Sequence, residues 1–550
     1  MDENPKDLSN DKANEKINTK SNKKVLVGVT IFVTILILAI AATFILWTYR
    51  NKEKEEGKID TGLSKTETVT SEYEIKGNSI QKFDLQFMKI ENAKKNMIYS
   101  PLSIKYALGM LAEGTNGESK TQITSVIGSY NYNKYENSEN MSMANALFIK
   151  ETFKDSIKQS YIDTLKDKYA AEVSYDPFET PTNINKWVAS KTLNLIPSLV
   201  DKVSGLDFIL ANALGIDMEW EHKFFEPINE YYSTKHEKNG ENYMSWYAPE
   251  GVFYVEFNGS KEKVSGLEFQ ASYNKYDIIS TLGEENIKNT VKAEFVKWAK
   301  SLKEDDSDRD FWFKGDLSDT NISKVFEEFF NDYIKELKEN YGNSGKTTDF
   351  EFYVDDNVKC FAKDLKEYGS NRLQYIAIMP VNEDLDKYVS GVTASDINNI
   401  ISNLTTLDES NFKEGYYTHI TGMMPKFKFD YELNLMEDLK TMGIKDVFEE
   451  GKADLTNLTT SPAEFIAEVK HKANIEFTQD GIKAAAATYA GGAGAGGTFD
   501  YLFDVPTITI DLTFDKPYLF LIRDKKSSEV WFVGNVYNPL LYSEDMSKGF

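Results

Sequence analysis

The sequence predicts an α+β fold that follows a single N-terminal transmembrane helix. Apolar residues at helical spacing open the folded part, where Ile80, Phe83 and Phe87 would share one face of a helix. The alternation that is typical of a strand occurs at residues 473–477. Residues 25–47 form a run of 23 without a charged side chain. Helices and strands are therefore both expected in the folded part, and one further helix in front of it.

The uncharged run at residues 25–47 is long enough for a bilayer. As a helix rising about 1.5 Å per residue it would span roughly 35 Å, which matches a hydrocarbon core with some tilt. A cleavable secretion signal is the alternative, because Ala39 and Ala41 have the small-x-small form, but the run continues to Trp47. Basic residues are slightly more frequent before the run than after it, which favours an extracellular body on a single-pass anchor in the cell membrane.

Polar segments divide the rest of the chain into tail, linker and body. Residues 1–24 are rich in Asn, Lys and Asp, and we expect a disordered tail there. Residues 48–76 are charged and rich in Thr and Ser, which is typical of a tether. We therefore expect one folded domain at residues 77–543, with a C-terminal tail at residues 544–550.

Composition argues against several classes of function. The net charge of -24 disfavours nucleic acid as a partner, because binding to a phosphate backbone depends on Lys and Arg. Cys360 is the only cysteine, which excludes an intrachain disulfide and a cysteine-based metal site. The chain has no HExxH motif and no GxSxG elbow, so we expect no metal, no cofactor and no catalytic residues. A hydrolase that combines Ser100 or Ser103 with His471 is the remaining alternative.

After the first helix of the folded part, a strand is joined directly to a second helix. Residues 97–99 are a short apolar run that predicts a strand. Ser100 suits the N-cap position and Pro101 the first helical position. Ile104 and Leu108 then fall on one face. Strand, cap and helix are therefore expected without a loop between them.

A long loop near the C-terminus is the most unusual feature of the sequence. After the strand predicted at residues 473–477, Gly481 precedes a run of four alanines that ends at Thr488. Alternation resumes only at Pro506. The loop at residues 479–506 is longer than most connections, and loops of this length are usually functional or disordered.

Five segments resemble blocks of the serpin family, in that family's order. They read NMIYSPLSIKYALGMLAEGTNGESKTQI, INKWVASKTLNLIPSLV, NALGIDMEW, MPKFKFDYELNLMEDLKTMGIKDVF and FLIRDKKSSEVWFVGNVYNP. The loop residues GIKAAAAT resemble the hinge of the family's reactive loop. The resemblance implies a serpin fold with a large mixed central β-sheet, smaller sheets and about eight or nine helices.

The resemblance also implies which residues act. In an inhibitory serpin a protease attacks the exposed loop, and the acyl-enzyme is trapped when the freed loop enters the central sheet as a new strand. The loop hinge would consist of Gly481, Ile482, Lys483, Ala484, Ala485, Ala486, Ala487 and Thr488. A buried polar cluster beneath the sheet, where two strands part, would consist of Ser100, Ser103, Asn212 and His471, with Trp220 as a support residue.

Two hinge residues depart from the family pattern. Ile482 stands where the family usually has Thr or Ser, and Lys483 where it usually has Glu. Isoleucine is β-branched and can still enter a sheet. Lys483 is compatible with insertion only if its side chain remains on the solvent face.

Two counts give different positions for the attacked bond. Counting on from Gly481 as in the family gives Ala495-Gly496, whereas counting back from the strand after the loop gives Leu502-Phe503. Seven extra residues before the cut would add roughly 23 Å of slack, which would leave the protease undistorted. We therefore prefer Ala495-Gly496, and expect an elastase-like or subtilisin-like partner that accepts small residues.

Residues 225–350 exceed the length that the family needs and predict an insertion. Part of it has helical spacing, with Phe295 and Trp298 on one face and Phe326 and Phe329 on another. Such a subdomain would cover its own apolar faces or would bind the protease. We expect a monomeric, membrane-anchored inhibitor of a serine or cysteine endopeptidase; the alternative is a non-inhibitory serpin that acts as a cell-surface binding module.

Overall fold

The computed structural model describes most of the folded part of the chain. It describes residues 79–541 without 129, 131, 134, 225–235, 239–240, 244–253, 261–262, 341–343, 347, 370, 462–463, 468, 483–502 and 504. The predicted N-terminal tail, transmembrane span, linker and C-terminal tail lie outside the described residues. Of the helices that are described, none combines the length and the hydropathy needed to cross a membrane.

Twelve α-helices occur in the described residues, more than the eight or nine that the resemblance implied. In chain order they are α1 Lys82–Glu91, α2 Pro101–Gly114, α3 Gly117–Ile127, α4 Gln159–Tyr169, α5 Thr182–Lys191, α6 Ile278–Leu282, α7 Glu284–Ser301, α8 Ser307–Phe313, α9 Asp319–Asn340, α10 Leu385–Gly391, α11 Ala394–Ser402 and α12 Leu435–Thr441. The predicted number was too low because it left out α6 to α9, here called the four-helix segment.

Twenty strands accompany these helices in the described part, which confirms the α+β class. They are β1 Met97–Tyr99, β2 Met141–Lys150, β3 Glu172–Asp176, β4 Phe208–Ile216, β5 Met218–Glu219, β6 His236–Lys238, β7 Glu241–Tyr243, β8 Tyr254–Glu256, β9 Lys263–Asn274, β10 Ser344–Lys346, β11 Glu351–Val354, β12 Val358–Asp364, β13 Leu373–Pro380, β14 Tyr417–Pro425, β15 Phe427–Asn434, β16 Lys470–Phe477, β17 Gly481–Ile482, β18 Thr507–Asp511, β19 Tyr518–Asp524 and β20 Val530–Val536.

The strands are arranged in several sheets. The largest has the order β1-β20-β19-β13-β12-β11, and a second has the order β10-β9-β14-β18 with β8 beside β9. A four-stranded sheet has the order β15-β16-β17-β5, and a three-stranded sheet the order β3-β2-β4. β6 and β7 form a separate two-stranded sheet. Because β4 runs into β5 through Asp217, the three-stranded and four-stranded sheets are joined by continuous chain.

The four-helix segment has a hydrophobic core of its own. Phe295, Phe313 and Phe326 are almost fully buried there, in a cluster separate from the main core. Phe295 and Phe329 stack with ring centroids 4.9 Å apart. The helical faces predicted within residues 225–350 are thereby confirmed for α7 and α9.

The strand, cap and helix predicted at residues 97–108 are confirmed. β1 is buried throughout and runs directly into α2. The Ser100 side chain caps α2 by accepting a hydrogen bond from the Ser103 N–H at 3.1 Å. Pro101 occupies the first turn, where a missing N–H has no cost.

A buried ion pair fixes α2 against its neighbours. Lys105 is 2% exposed, and its Nζ lies 2.8 Å from Asp84 of α1 and 3.0 Å from Glu529, next to β20. Burial alone would lower the pKa of Lys105, but the two carboxylates reverse the effect and hold this pKa above its usual value. The helix that carries Ser100 and Ser103 is thus joined to the two elements on either side of it.

We expect Lys105→Met to lower the free energy of unfolding by about 3 kcal/mol, because it leaves two carboxylates buried without their cation. Urea denaturation at neutral pH measures the change. Lys297→Met is the matched control: Lys297 pairs with Glu294 on the surface and is 76% exposed, so its loss should change stability by less than about 0.5 kcal/mol. Equal effects of the two substitutions would contradict a structural role for the buried pair.

Candidate functional site

The first two hinge residues form a short strand between two longer ones. Ile482 lies opposite Phe477 of β16 on one side and opposite Met218 of β5 on the other, and both pairings are antiparallel. Gly481 lies opposite Glu219. Ile482 is 2% exposed, so the departure from the family pattern at this position supplies a buried apolar side chain.

Gly481 is required by a close approach of backbone. A Cβ at this position would lie 2.1 Å from the carbonyl oxygen of Met218, which is far inside van der Waals contact. A larger residue would therefore push β17 away from β5. The glycine allows the chain to enter between β16 and β5.

A gap continues from this point between β4 and β16. No strand pairing joins these two strands in the described residues. Both lie beside the position that a strand continuing from Ile482 would occupy. A cavity of about 360 Å³ lies there, and a space of about 20 Å³ lies directly beneath the hinge, lined by Ile216, Ile475 and Ile482. Both strand edges thus border an unfilled position.

Four of the predicted cluster residues line this cavity. They are Ser100, Ser103, Asn212 and His471. The Nε2 of His471 accepts a hydrogen bond from the Ser100 N–H at 2.9 Å. Burial lowers the pKa of His471 to about 4, so the imidazole is neutral at physiological pH.

The cluster is not one continuous hydrogen-bonded network in the described residues. Asn212 donates to the Oδ1 of Asn145 at 2.8 Å, across the β4-β2 pair. The Oδ1 of Asn212 is buried and accepts no hydrogen bond within the described residues. Sequence reasoning missed Asn145, although a lone amide inside the apolar strand MSMANALFIK was an available signal.

The geometry gives no support to a serine hydrolase. The hydroxyl of Ser100 caps its own helix, and His471 bonds to the backbone N–H of Ser100 instead of the hydroxyl. A general base must reach the proton that it removes from the nucleophile. The pair is therefore suited to joining α2 to β16, and not to activating a nucleophile.

Trp220 supports the turn that leads into the hinge. It is 1% exposed, and its indole N–H donates to the carbonyl of Thr478 at 2.9 Å. Its backbone N–H donates to the carbonyl of Asp480 at 2.8 Å. The side chain of Asp480 in turn pairs with Lys223 at 2.8 Å, a contact that the sequence did not indicate.

The other predicted loop residues divide between the described and undescribed parts of the chain. Outside the described residues lie Lys483, Ala484, Ala485, Ala486, Ala487, Thr488, Ala495, Gly496 and Leu502. Phe503 is described, and it packs against the core of the four-helix segment.

Comparison with known proteins identifies the family. The family model described as "Serpin (serine protease inhibitor)" matches residues 80–311 and 344–539. Serpin B3 of Homo sapiens is 25% identical over 498 residues, which cover 83% of this chain and 97% of that protein. Leukocyte elastase inhibitor A of Rattus norvegicus is 22% identical over 471 residues, which cover 81% and 93%.

The fold is also that of solved serpins. The thermophilic serpin tengpin in its native state has a TM-score of 0.54 at 20% identity, covering 87% of this chain and 96% of its own. The family model spans the described hinge residues and all four cluster residues that line the cavity. This chain belongs to the serpin family.

Proposed function

We propose that the chain is a suicide inhibitor of a serine or cysteine endopeptidase, which it traps by inserting its cleaved loop between β4 and β16. The family consists of protease inhibitors and binding proteins, and not of enzymes. The proposal rests mainly on one observation: Ile482 is already paired on both sides, and Gly481 with β5, at the head of an unfilled strand position. A strand that continued from Ile482 would have a strand edge on each side to pair with.

The two registers agree on where such a strand would lie. Each step forward from Ile482 is one step back along both neighbours, because both pairings are antiparallel. Six steps on, Thr488 meets Asn212 in one register and His471 in the other. The hydroxyl of Thr488 would then be able to donate to the Asn212 oxygen that accepts no other hydrogen bond in the described part.

Alternation separates the loop residues into two faces. Ile482 faces the core, so Ala484, Ala486 and Thr488 would face it too, while Lys483 would face the opposite way. The same registers place Lys483 opposite Asp217 and opposite Glu476. Two carboxylates would flank the cation, which accounts for the second departure from the family pattern.

The register also limits the effect of the loop glycines. β4 begins at Phe208, which corresponds to residue 492 of an inserted strand. Residues 483–490 contain no glycine, and only the glycines at 491 and 492 would pair with β4. Glycine weakens a strand mainly where it must pair, so the run from Gly491 to Gly497 obstructs insertion little.

Several finer features belong to the same proposal. The attacked bond would be Ala495-Gly496, just past the residue that pairs with Phe208 at the start of β4, and the partner would be an endopeptidase that prefers small residues. The insertion expected within residues 225–350 would include α9, since the family model matches α6 and α7 but leaves residues 312–343 unmatched. The uncharged run at residues 25–47 would anchor the protein in the cell membrane, with the body outside.

The full-length chain mixed with pancreatic elastase or subtilisin should give an SDS-resistant band at the summed mass, because the acyl-enzyme bond survives denaturation. Ala486→Glu should be cleaved without forming this band, since residue 486 would lie between the buried Leu214 and Ala473 and a charge there would be desolvated. Cleavage products alone from the unaltered chain, across several proteases, would contradict the inhibitor proposal and favour a binding module.

The charge at residue 483 should determine how often the loop inserts before the acyl-enzyme is hydrolysed. Lys483→Glu places a third carboxylate beside Asp217 and Glu476, so we expect several times more inhibitor to be consumed per protease trapped. Lys483→Met is the neutral control and should behave nearly as the unaltered chain. Adding Glu476→Lys to Lys483→Glu should restore efficient trapping; no restoration would refute the register.

The stability contribution of His471 should depend on pH. A histidine whose folded pKa is lowered to about 4 stabilises the fold above its unfolded pKa of 6.5 and loses this contribution as the pH falls towards 4, by about 1.4 kcal/mol per unit. We therefore expect the stability advantage over His471→Gln in urea to shrink between pH 6.5 and 4.5. Burial raises the pKa of Asp438 in α12, which packs on β16, to about 7; its opposite effect cancels because both proteins contain it. A constant difference would contradict a buried neutral imidazole.

A further inference from the structure

The end of the reactive loop is attached to the four-helix segment. Phe503 and Val505 are half-buried and pack against the cluster that contains Phe295 and Phe326. These two loop residues come from a distant part of the sequence, yet they join the core of the segment and not the main core. The contact therefore links the loop to the segment.

The topology of one sheet explains why the two meet. Asn274, the last residue of β9, lies opposite Tyr417, and Tyr417 lies opposite Thr507, the first residue of β18. Neighbouring strands are about 4.8 Å apart. The residue that leads into the four-helix segment and the end of the loop are therefore roughly 10 Å from each other, at the same end of these three strands. The Tyr417 N–H also donates to the Pro506 carbonyl at 2.9 Å, which fixes the last residue of the loop.

Attachment of Phe503 affects one of the two candidate bonds directly. A protease that cuts Leu502-Phe503 must accept the Phe503 side chain on the leaving-group side of its active site. The same side chain cannot pack on the four-helix segment at that moment. Cutting this bond therefore requires the loop end to detach first, whereas Ala495-Gly496 lies seven residues before Phe503.

We propose that the four-helix segment determines which bond of the reactive loop a protease reaches. It holds Phe503 and Val505, withdraws the large apolar residues near the loop end from attack, and leaves the small residues around Ala495 presented. The partner selected in this way is an endopeptidase with a small-residue preference, and a protease that prefers large apolar residues is disfavoured. The inference rests on the proposed function of the loop as bait.

The segment also gives a physical reason for the length of the loop. The two counts of the attacked bond differ by residues 496–502, which lie between the preferred bond and the attached Phe503. Length on this side of the cut adds no slack to the tether that inserts. It supplies the chain needed to reach from the presented bond to the four-helix segment.

Limited digestion of the full-length chain with chymotrypsin tests the proposal, because this protease prefers large apolar residues. Mass spectrometry measures the rate of the cut after Leu502 in three variants. Phe329→Ala removes a side chain of the segment that belongs to the shared cluster, and Val505→Ser loosens the loop side; neither changes residues 499–503. Phe311→Ala is the control, since Phe311 is 78% exposed on the same segment and is not part of the cluster.

The cut after Leu502 should become about ten-fold faster in Phe329→Ala, as expected when release of a half-buried side chain populates the detached loop. A smaller increase is expected in Val505→Ser, and the wild-type rate in Phe311→Ala. The wild-type rate in Val505→Ser would overturn the proposal, whatever Phe329→Ala shows. The cut is counted whether or not an inhibited complex forms, so failure to inhibit any protease would not affect this measurement.

Discussion

The unfilled strand position between β4 and β16 is the constraint on which the rest of this structure depends. A strand edge presents N–H and C=O groups that need partners, and here two such edges border one gap in the described part of the chain. The hinge residues Gly481 and Ile482 satisfy the first positions of that gap. Filling the rest with loop residues would complete both edges together. Insertion of the loop would therefore be favourable once a protease has freed one of its ends.

The floor of the gap explains how two strands can be held apart without loss of order. Its lining includes polar groups among apolar ones, and these polar groups bond to neighbouring elements and not to each other across the gap: His471 to the backbone of Ser100, and Asn212 to Asn145. Closing the gap would bury these polar groups further, and the Asn212 oxygen that accepts no hydrogen bond in the described residues would stay without a partner. The buried charge of Lys105 adds rigidity, because it fixes the helix under the gap.

Much of this arrangement could be predicted from the sequence, because the relevant signals are local. The cap at Ser100, the strand β16 and the helical faces of the four-helix segment follow from spacing and residue type. The contacts that define the site could not, because they depend on strand register between distant segments. Asn145 beside Asn212, Lys223 beside Asp480 and the attachment of Phe503 become visible only when the registers are known. The helix count was too low because a family resemblance gives no estimate for a segment outside its blocks.

Insertion of the cleaved loop would fill the gap, and the rate of amide hydrogen exchange in β4 and β16 would report this filling. Exchange of residues 208–216 and 470–477 should be measured in the intact protein and after a single cut at Ala495-Gly496. We expect exchange to slow on both edges after the cut, because the inserted strand supplies hydrogen-bond partners to β4 and β16. Exchange in α11, none of whose residues lines the cavity, should stay the same. Unchanged exchange on both edges after a complete cut would contradict insertion.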